Sequence, residues 1–215
     1  MSSTELLNGG PAKMQGDSIA SSSALLPMTG IILCGGRSKR MGRQKAFLPF
    51  AGKTLIEHMH DLMAELFAEV ILVSNNPDEY EHISSNLVRD IIPNRGPLVG
   101  ILSGLLVSNY NRAFVVPCDM PFVDKHLVRK MAMHKCDSDM LIYSHAGRNE
   151  PLLGIYSRNC ISALEEAIFE GNDLAQDFIS TSRADLFVFP TERGANAAHF
   201  NVDTPADYGK LCGIA

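Results

Sequence analysis

Apolar residues along this 215-residue chain fall into short continuous runs separated by stretches with helical spacing. Ile31-Ile32-Leu33, Val70-Ile71-Leu72-Val73, Ala113-Phe114-Val115-Val116-Pro117, Asp139-Met140-Leu141-Ile142-Tyr143 and Leu186-Phe187-Val188-Phe189 predict strands covered on both faces, and residues 145–156 read as a turn and a further strand. Between them, Leu55, Ile56, Met59, Leu62, Met63, Leu66 and Phe67 repeat at helical spacing from Thr54 onward. Pro97 suits the first turn of a helix that apolar residues continue to Val107, and Asp124 caps one carrying Leu127, Val128 and Met131. Ile161, Leu164 and Ile168, then Leu174 and Phe178, mark two short helices. A last helix opens with Thr204 as cap, Pro205 at the first position and Asp207 three after the cap. Strands alternating with helices predict a three-layer α/β/α, Rossmann-like architecture with a mostly parallel central sheet.

No repeat or low-complexity linker divides residues 29–215, which are expected to form one domain. Residues 1–28 lack periodicity and carry Gly9-Gly10 and Ser21-Ser22-Ser23, so they read as a flexible leader; no basic start followed by an apolar core marks them as a secretory signal. A formal net charge of -5 argues against a general nucleic-acid binder, and no apolar run approaches the roughly 20 residues of a membrane span. Five cysteines, odd in number and without a C-x-x-C pair, fit reduced thiols in a cytoplasm better than a disulfide framework.

Against that acidic background, residues 29–48 concentrate positive charge. The run Ile31-Ile32-Leu33 breaks at Gly35-Gly36 and is followed by Arg37, Lys39, Arg40, Gly42 and Lys45. Paired glycines admit an anion close to backbone N–H groups, and the cations add full charges, so the stretch reads as a phosphate site. It is not the dinucleotide fingerprint, because Gly35 and Gly36 are adjacent with no third glycine at the required offset. Gly52-Lys53-Thr54 imitates the end of a phosphate-binding P-loop, but Phe47 stands where its first glycine should be, so a turn into a helix is the simpler reading. Further along, Asp119 stands at the carboxyl end of an apolar strand, where open α/β sheets place ligands and where a carboxylate suits Mg²⁺. Glycines at 96, 100 and 104 permit close approach by a ligand or by the sheet. His58 and His60 lie two apart on a predicted helix and make a poor metal pair.

The whole run Leu33-Cys34-Gly35-Gly36-x-x-x-Arg40-Met41-Gly42-x-x-Lys45 resembles the signature loop of cofactor and sugar nucleotidyltransferases. Its double glycine is similar to that of the molybdenum cofactor guanylyltransferases (molybdopterin-guanine dinucleotide synthases), where cytidylyltransferase relatives usually carry Ala-Ala-Gly. Gly96-Pro97-Leu98-x-Gly100, Cys118-Asp119-x-Pro121, Glu150-Pro151-Leu152 and Asn201-Val202-Asp203-Thr204-Pro205 extend the resemblance. Cys34 replaces the commoner alanine, and Asp203 replaces the second asparagine of the usual Asn-x-Asn-Thr-Pro.

The resemblance implies the nucleotidyltransferase version of the three-layer fold. It also implies transfer of GMP from GTP to molybdopterin with release of pyrophosphate. The backbone at Leu33, Cys34, Gly35 and Gly36 would cradle the nucleotide, together with Gly96, Pro97, Gly100 and Asn201. Arg40 and Lys45 would neutralise the triphosphate, Asp90 and Asn75 would face the base or ribose, and Asp119 with Asp203 would hold Mg²⁺. Since the attacking group is already an anionic phosphate, no general base is needed. The implied partners are GTP, molybdopterin, and cofactor-insertion proteins or recipient molybdoenzymes, with Glu150-Pro151-Leu152 on the acceptor side. Two alternatives stand beside this reading. One is a CTP-dependent enzyme acting on another cofactor or a sugar phosphate; the other is a nucleotide-binding or cofactor-delivery module without turnover.

Overall fold

The computed structural model describes residues 24–35, 44–188, 198 and 200–214. In chain order these form β1 (Leu26–Leu33), β2 (Pro49–Phe50), β3 (Lys53–Thr54), α1 (Leu55–Ala64), β4 (Phe67–Ser74), β5 (Leu87–Arg89), α2 (Pro97–Val107) and β6 (Arg112–Pro117). Then follow α3 (Lys125–Met133), β7 (Met140–His145), β8 (Arg148–Ser157), α4 (Ile161–Phe169), α5 (Ala175–Thr181), β9 (Asp185–Val188) and α6 (Pro205–Ile214). Seven strands make the central sheet in the order β5-β4-β1-β6-β8-β7-β9. All its pairings are parallel except the two made by β8, which runs against both β6 and β7. The chain winds outward from β1 through β4 to β5, then returns to place β6 on the other side. The sheet therefore changes direction between β1 and β6, where such sheets open a crevice at their carboxyl ends.

Strand residues alternate between two cores. Ile31, Leu33, Ile71, Val73, Ala113 and Val115 face α2, α4 and α5, whereas Ile32, Leu72, Phe114 and Val116 face α1 and α3. Every one of these side chains is buried, which is why the runs are continuous in apolar character instead of alternating with polar residues. A third, smaller cluster joins Leu48, Leu55, Val202 and Leu211, with Phe50, Phe122, Phe200 and Tyr208 packed on it. It fastens α6 beside the β2–β3 hairpin, and the Tyr208 hydroxyl donates to the Pro49 carbonyl at 2.9 Å.

Several boundaries differ from those expected. β1 begins at Leu26, so the last residues assigned to the leader belong to the sheet: Leu26 N–H donates to Leu66 O, and Met28 is buried. Pro27 lacks an N–H, and the register with β4 shifts between Leu26 and Thr29, which hides the strand start from pattern reading. Leu66 and Phe67 do not continue α1, which ends at Ala64; Leu66 lies in the turn and Phe67 opens β4, both buried, so the helical spacing runs on past the helix. The Gly52-Lys53-Thr54 segment is a turn into a helix, as expected. Ala51 and Gly52 take φ of 47° and 83°, and Thr54 caps α1 in a reciprocal box with Glu57. Among the described residues no helix is long and apolar enough to cross a membrane.

Gly104 serves packing rather than a ligand. A Cβ there would sit 2.7 Å from Ile31 Cδ1 and 2.9 Å from Cγ2, and the β-branched, buried Ile31 has no space to yield. Gly104→Ala is expected to destabilise the fold by about 1–2 kcal/mol despite alanine's better helix propensity. In urea titration this appears as a lower midpoint with unchanged slope; an equal or higher midpoint would show that the helix–sheet contact is loose.

Candidate active site

A cleft of about 630 Å³ opens over the carboxyl ends of the parallel strands. Along the sheet order it meets Asp90 after β5, Asn75 after β4, Cys34 and Gly35 after β1, Cys118 and Asp119 after β6, and Glu150 on β8. Being antiparallel, β8 presents its beginning, not its end, at this edge. The Cys34 N–H donates to Val73 O at 2.8 Å and the Cys118 N–H to Leu33 O at 3.1 Å, so the strand ladder fixes the cleft floor up to the residues that line it. Burial, with Cys118 alongside, pushes the Cys34 thiol well above the ordinary cysteine value, so it is a neutral wall group.

The charged centre joins three distant parts of the chain. Lys45 heads a single 3₁₀ turn, Lys45–Phe47. Its Nζ donates to Asp203 Oδ1 at 2.6 Å and to Asp119 Oδ2 at 3.3 Å. Val202 N–H donates to Asp119 O at 3.0 Å, tying the segment before α6 to the one after β6. Thr204 and Asp207 make the expected reciprocal cap on α6, with Thr204 N–H on Asp207 Oδ2 at 2.9 Å and Asp207 N–H on Thr204 Oγ1 at 3.2 Å. Burial works against the Lys45 charge, but the bonds and attraction from Asp203 and Asp119 outweigh it and hold its pKa above the ordinary lysine value. The Asp119 pKa is raised as well, by burial, with Lys45 opposing.

At the β5 end, Asn75 Nδ2 donates to Asp90 Oδ2 at 2.8 Å, and Asn75 Oδ1 accepts from Asn94 N–H at 2.8 Å. Asp90 Oδ1 is buried without a hydrogen-bond partner, and burial raises the carboxyl pKa to about 6. A Cβ on Gly100 would come within 3.5 Å of that oxygen and 3.0 Å of Leu33, and one on Gly35 would meet Asn75 and Asp90 at 3.7 and 3.8 Å. Gly96, with φ of 115°, precedes Pro97 at the start of α2 and lies 3.2 Å, by its missing Cβ, from the Asp173 carbonyl. Arg95 pins that contact by donating to Asp173 Oδ2 at 3.0 Å and to the Ile168 carbonyl at 2.7 Å.

Leu33, Cys34, Gly35, Lys45, Asn75, Asp90, Gly96, Pro97, Gly100, Asp119, Asn201 and Asp203 all line this one cleft. Gly36 and Arg40 lie outside the described residues. Asn201 Oδ1, like Asp90 Oδ1, is a buried oxygen without a partner. The cleft also takes in Gln44 and Glu79, which hydrogen-bond to one another, and Tyr80, whose hydroxyl donates to Cys34 O at 3.0 Å. Nothing in the spacing of this short 3₁₀ turn, Pro77–Tyr80, separates it from an ordinary surface turn. His58 contacts Pro121 O through Nε2 at 3.2 Å and packs edge-on against Phe50.

Two carboxylates within reach of one ammonium suit a hard divalent ion that keeps water and phosphate oxygens in its shell. Among the described residues no three His, Cys, Asp or Glu side chains cluster to cage a metal, so phosphate oxygens would have to complete the coordination.

Residues 30–185 match the family model described as MobA-like NTP transferase domain. The chain belongs to the MobA-like NTP transferase family. As a MobA-like NTP transferase it is a nucleotidyltransferase, in keeping with the strand-end cleft and its cation. It is 33% identical over 190 residues to the probable molybdenum cofactor guanylyltransferase of Carboxydothermus hydrogenoformans, covering 87% of this chain and 96% of that one. Among solved structures it resembles molybdopterin-guanine dinucleotide biosynthesis protein A from Archaeoglobus fulgidus, with a TM-score of 0.75, 25% identity and coverage of 87% and 98%. A Mycobacterium tuberculosis protein solved in complex with manganese shares the MobA-like fold, at a TM-score of 0.63 and 15% identity over 88% of this chain and 100% of that one.

Because folding raises the Asp90 pKa from 3.8 to about 6, its stabilising contribution is complete below 3.8 and is lost as pH rises through about 6. Asn75→Ala removes the donor to Asp90 Oδ2 and is expected to cost about 1–3 kcal/mol at pH 7.5, where the carboxylate is charged. At pH 5 the loss should be smaller. Urea midpoints at the two pH values decide this, and a pH-independent loss would mean that the Asn75–Asp90 bond is not what is being measured.

Proposed function

We infer that the chain transfers GMP from GTP to the molybdenum–molybdopterin cofactor, forming the molybdopterin guanine dinucleotide and releasing pyrophosphate. The observation that carries this reading is the Lys45 ammonium bound by Asp119 and Asp203 at the sheet's switch point, with the unpartnered Asp90 oxygen at one end of the same cleft. The names of the relatives, which cover nearly the same length, support the choice of nucleotide and acceptor.

GTP lies with guanine toward Asp90 and Asn75, because a buried carboxylate oxygen without a donor is matched by guanine's N1–H and 2-amino group. Gly35 and Gly100 leave room for the nucleotide to approach the cleft floor. Lys45 turns from its carboxylates to the triphosphate oxygens and neutralises charge as it develops. Asp119 and Asp203 would hold a divalent ion, which we propose to be Mg²⁺. When bound, that ion supplies charge neutralisation at phosphate oxygens. The acceptor's terminal phosphate is itself the nucleophile, so the chain's task is alignment for in-line attack, and no side chain need abstract a proton.

Pyrophosphate release with GTP, CTP, ATP and UTP, each with Mg²⁺ and molybdopterin, tests the reading; release with GTP alone is expected. CTP-dependent release would keep the chemistry and overturn the base assignment. No release with any nucleotide, while GTP still binds, would favour a binding module. Asp119→Ala should lower kcat by at least about 100-fold while the urea midpoint changes little, and persistence of activity would remove Asp119 from the metal site. The KM for GTP is expected to rise as pH falls through about 6, since a protonated Asp90 no longer accepts from both guanine donors.

A further inference from the structure

Nucleotide transfer draws on the backbone at Cys34 and on the carboxylate next to Cys118, but on neither thiol. Both cysteines nevertheless line the cleft, and each is 7% exposed. The other three lie elsewhere. Cys160 donates to Asp139 O at 3.3 Å, Cys136 accepts from Arg112 Nη2 at 3.1 Å, and Cys212 is exposed on α6.

Strand register sets Cys34 and Cys118 side by side. β1 and β6 are parallel neighbours with Leu33 opposite Pro117, and the Cys118 N–H on Leu33 O at 3.1 Å carries the ladder one residue further. Cys34 therefore stands opposite Cys118. Opposed residues of a parallel pair point to the same face, and both side chains fall in the core under α1 and α3. The Cys34 thiol donates to Ile32 O at 3.7 Å, and the Cys118 side chain hydrogen-bonds with it. Both are free thiols. The cysteine at 34, where alanine is commoner in the family, is what turns a single thiol into a dithiol.

The spacing decides what this dithiol can do. Neighbouring strands lie about 4.8 Å apart, within the roughly 4.4–6.8 Å between α-carbons that a disulfide spans. Parallel side chains keep about that same separation at Cβ, whereas a disulfide wants about 3.8 Å. Closing the bond thus draws the two strand ends together by about 1 Å. A bond formed this way is strained and readily reduced, which suits a reversible modification better than a permanent staple. The shift reaches the cleft directly. Gly35 follows Cys34, Asp119 follows Cys118, and the Cys34 carbonyl accepts from the Tyr80 hydroxyl at 3.0 Å.

We propose that Cys34 and Cys118 form an oxidisable dithiol in the cleft floor, which peroxides convert to a disulfide that weakens nucleotide binding. In the reaction, two electrons pass from the sulfurs into the peroxide O–O bond, which breaks. Both S–H bonds are lost, one S–S bond forms, and the two protons leave in the two waters produced. The second half is intramolecular, so a sulfenic acid made at either sulfur is captured by its neighbour before further oxidation. Burial holds the Cys34 thiol protonated and slows the first attack, so the pair answers millimolar rather than micromolar peroxide.

The effect on binding rests on the reading that nucleotide occupies this cleft, and the test keeps the two apart. The full chain is treated with hydrogen peroxide, the excess is removed with catalase, and remaining thiols are alkylated in denaturant before digestion. Mass spectrometry should find a peptide joining Cys34 to Cys118, lighter by two hydrogens and abolished by dithiothreitol. Calorimetric titration with the nucleoside triphosphate that the reduced chain binds should show affinity lowered at least about fivefold by peroxide and restored by dithiothreitol. That nucleotide, added before peroxide, should slow the linkage. After peroxide, Cys34→Ala should keep its own untreated affinity; Cys118→Ser serves the same purpose should the first variant fail to fold. If both thiols stay alkylatable while Cys212 is oxidised, or if the linked chain binds nucleotide as tightly as the reduced one, the proposal is wrong. If the linked peptide forms but no triphosphate binds the reduced chain, the dithiol stands and the nucleotide reading fails.

Discussion

The ammonium of Lys45 is the point on which the active region depends. It joins residues 45, 119 and 203, which lie on three segments far apart in the chain. Two carboxylates brought this close would repel one another; a cation held between them makes the arrangement tolerable. The same set of charges is also suited to change. A triphosphate with a divalent ion supplies anions for the lysine and a cation for the aspartates, so every charge keeps a partner when the ligand enters. The ion pair thus keeps the site assembled in the free protein without blocking it, because its partners are replaced in kind.

Mechanical support for that centre comes from the smallest of the three cores. Leu48, Phe50, Phe122, Phe200, Val202 and Leu211 bring together the segments that immediately follow Lys45, follow Asp119 and flank Asn201 and Asp203. Capping of α6 by Thr204 and Asp207 sets the helix start two residues beyond Asp203. The large cores decide that a sheet forms and where it reverses. The small one decides whether three charged side chains meet, so apolar substitutions around Val202 bear on the chemistry more directly than larger ones deep under α1.

Much of this was legible in the sequence, and the reasons differ by residue. The strands were readable because both faces are covered. Asp119 was readable because a carboxylate follows a buried run, and the 33–45 loop because glycines and cations crowd an otherwise acidic chain. Asp90 and Asn75 were approachable only through family resemblance, since their pairing depends on β4 and β5 lying side by side. The reversal of β8 and its three-residue bulge left no periodic trace: Pro151 and Leu152 continue an apolar run whether they lie in or out of the ladder. For the same reason Glu150 read as part of a loose turn-and-strand segment. Leu66 and Phe67 misled in the opposite direction, being buried in a turn and at the start of β4, where helical spacing happened to persist.

The departures from the family pattern fit the same physical scheme. Cys34 stands where alanine is commoner, and the site asks little more of it than smallness: its thiol is buried, neutral and beside Cys118, while the functional contribution at that position is the backbone that meets Val73 and Tyr80. Asp203 is a larger change, because it adds a full negative charge where an amide is usual. In this chain that charge is the nearer partner of Lys45, at 2.6 Å against 3.3 Å for Asp119. An amide at 203 would remove the nearer of these two carboxylates and weaken the hold on the ammonium before nucleotide arrives. The aspartate therefore strengthens organisation of the free site and places a second carboxylate within reach of a divalent ion. Its cost is additional negative charge that an anionic acceptor must approach, and Arg148, on the open side of Glu150, stands where a cation would offset it.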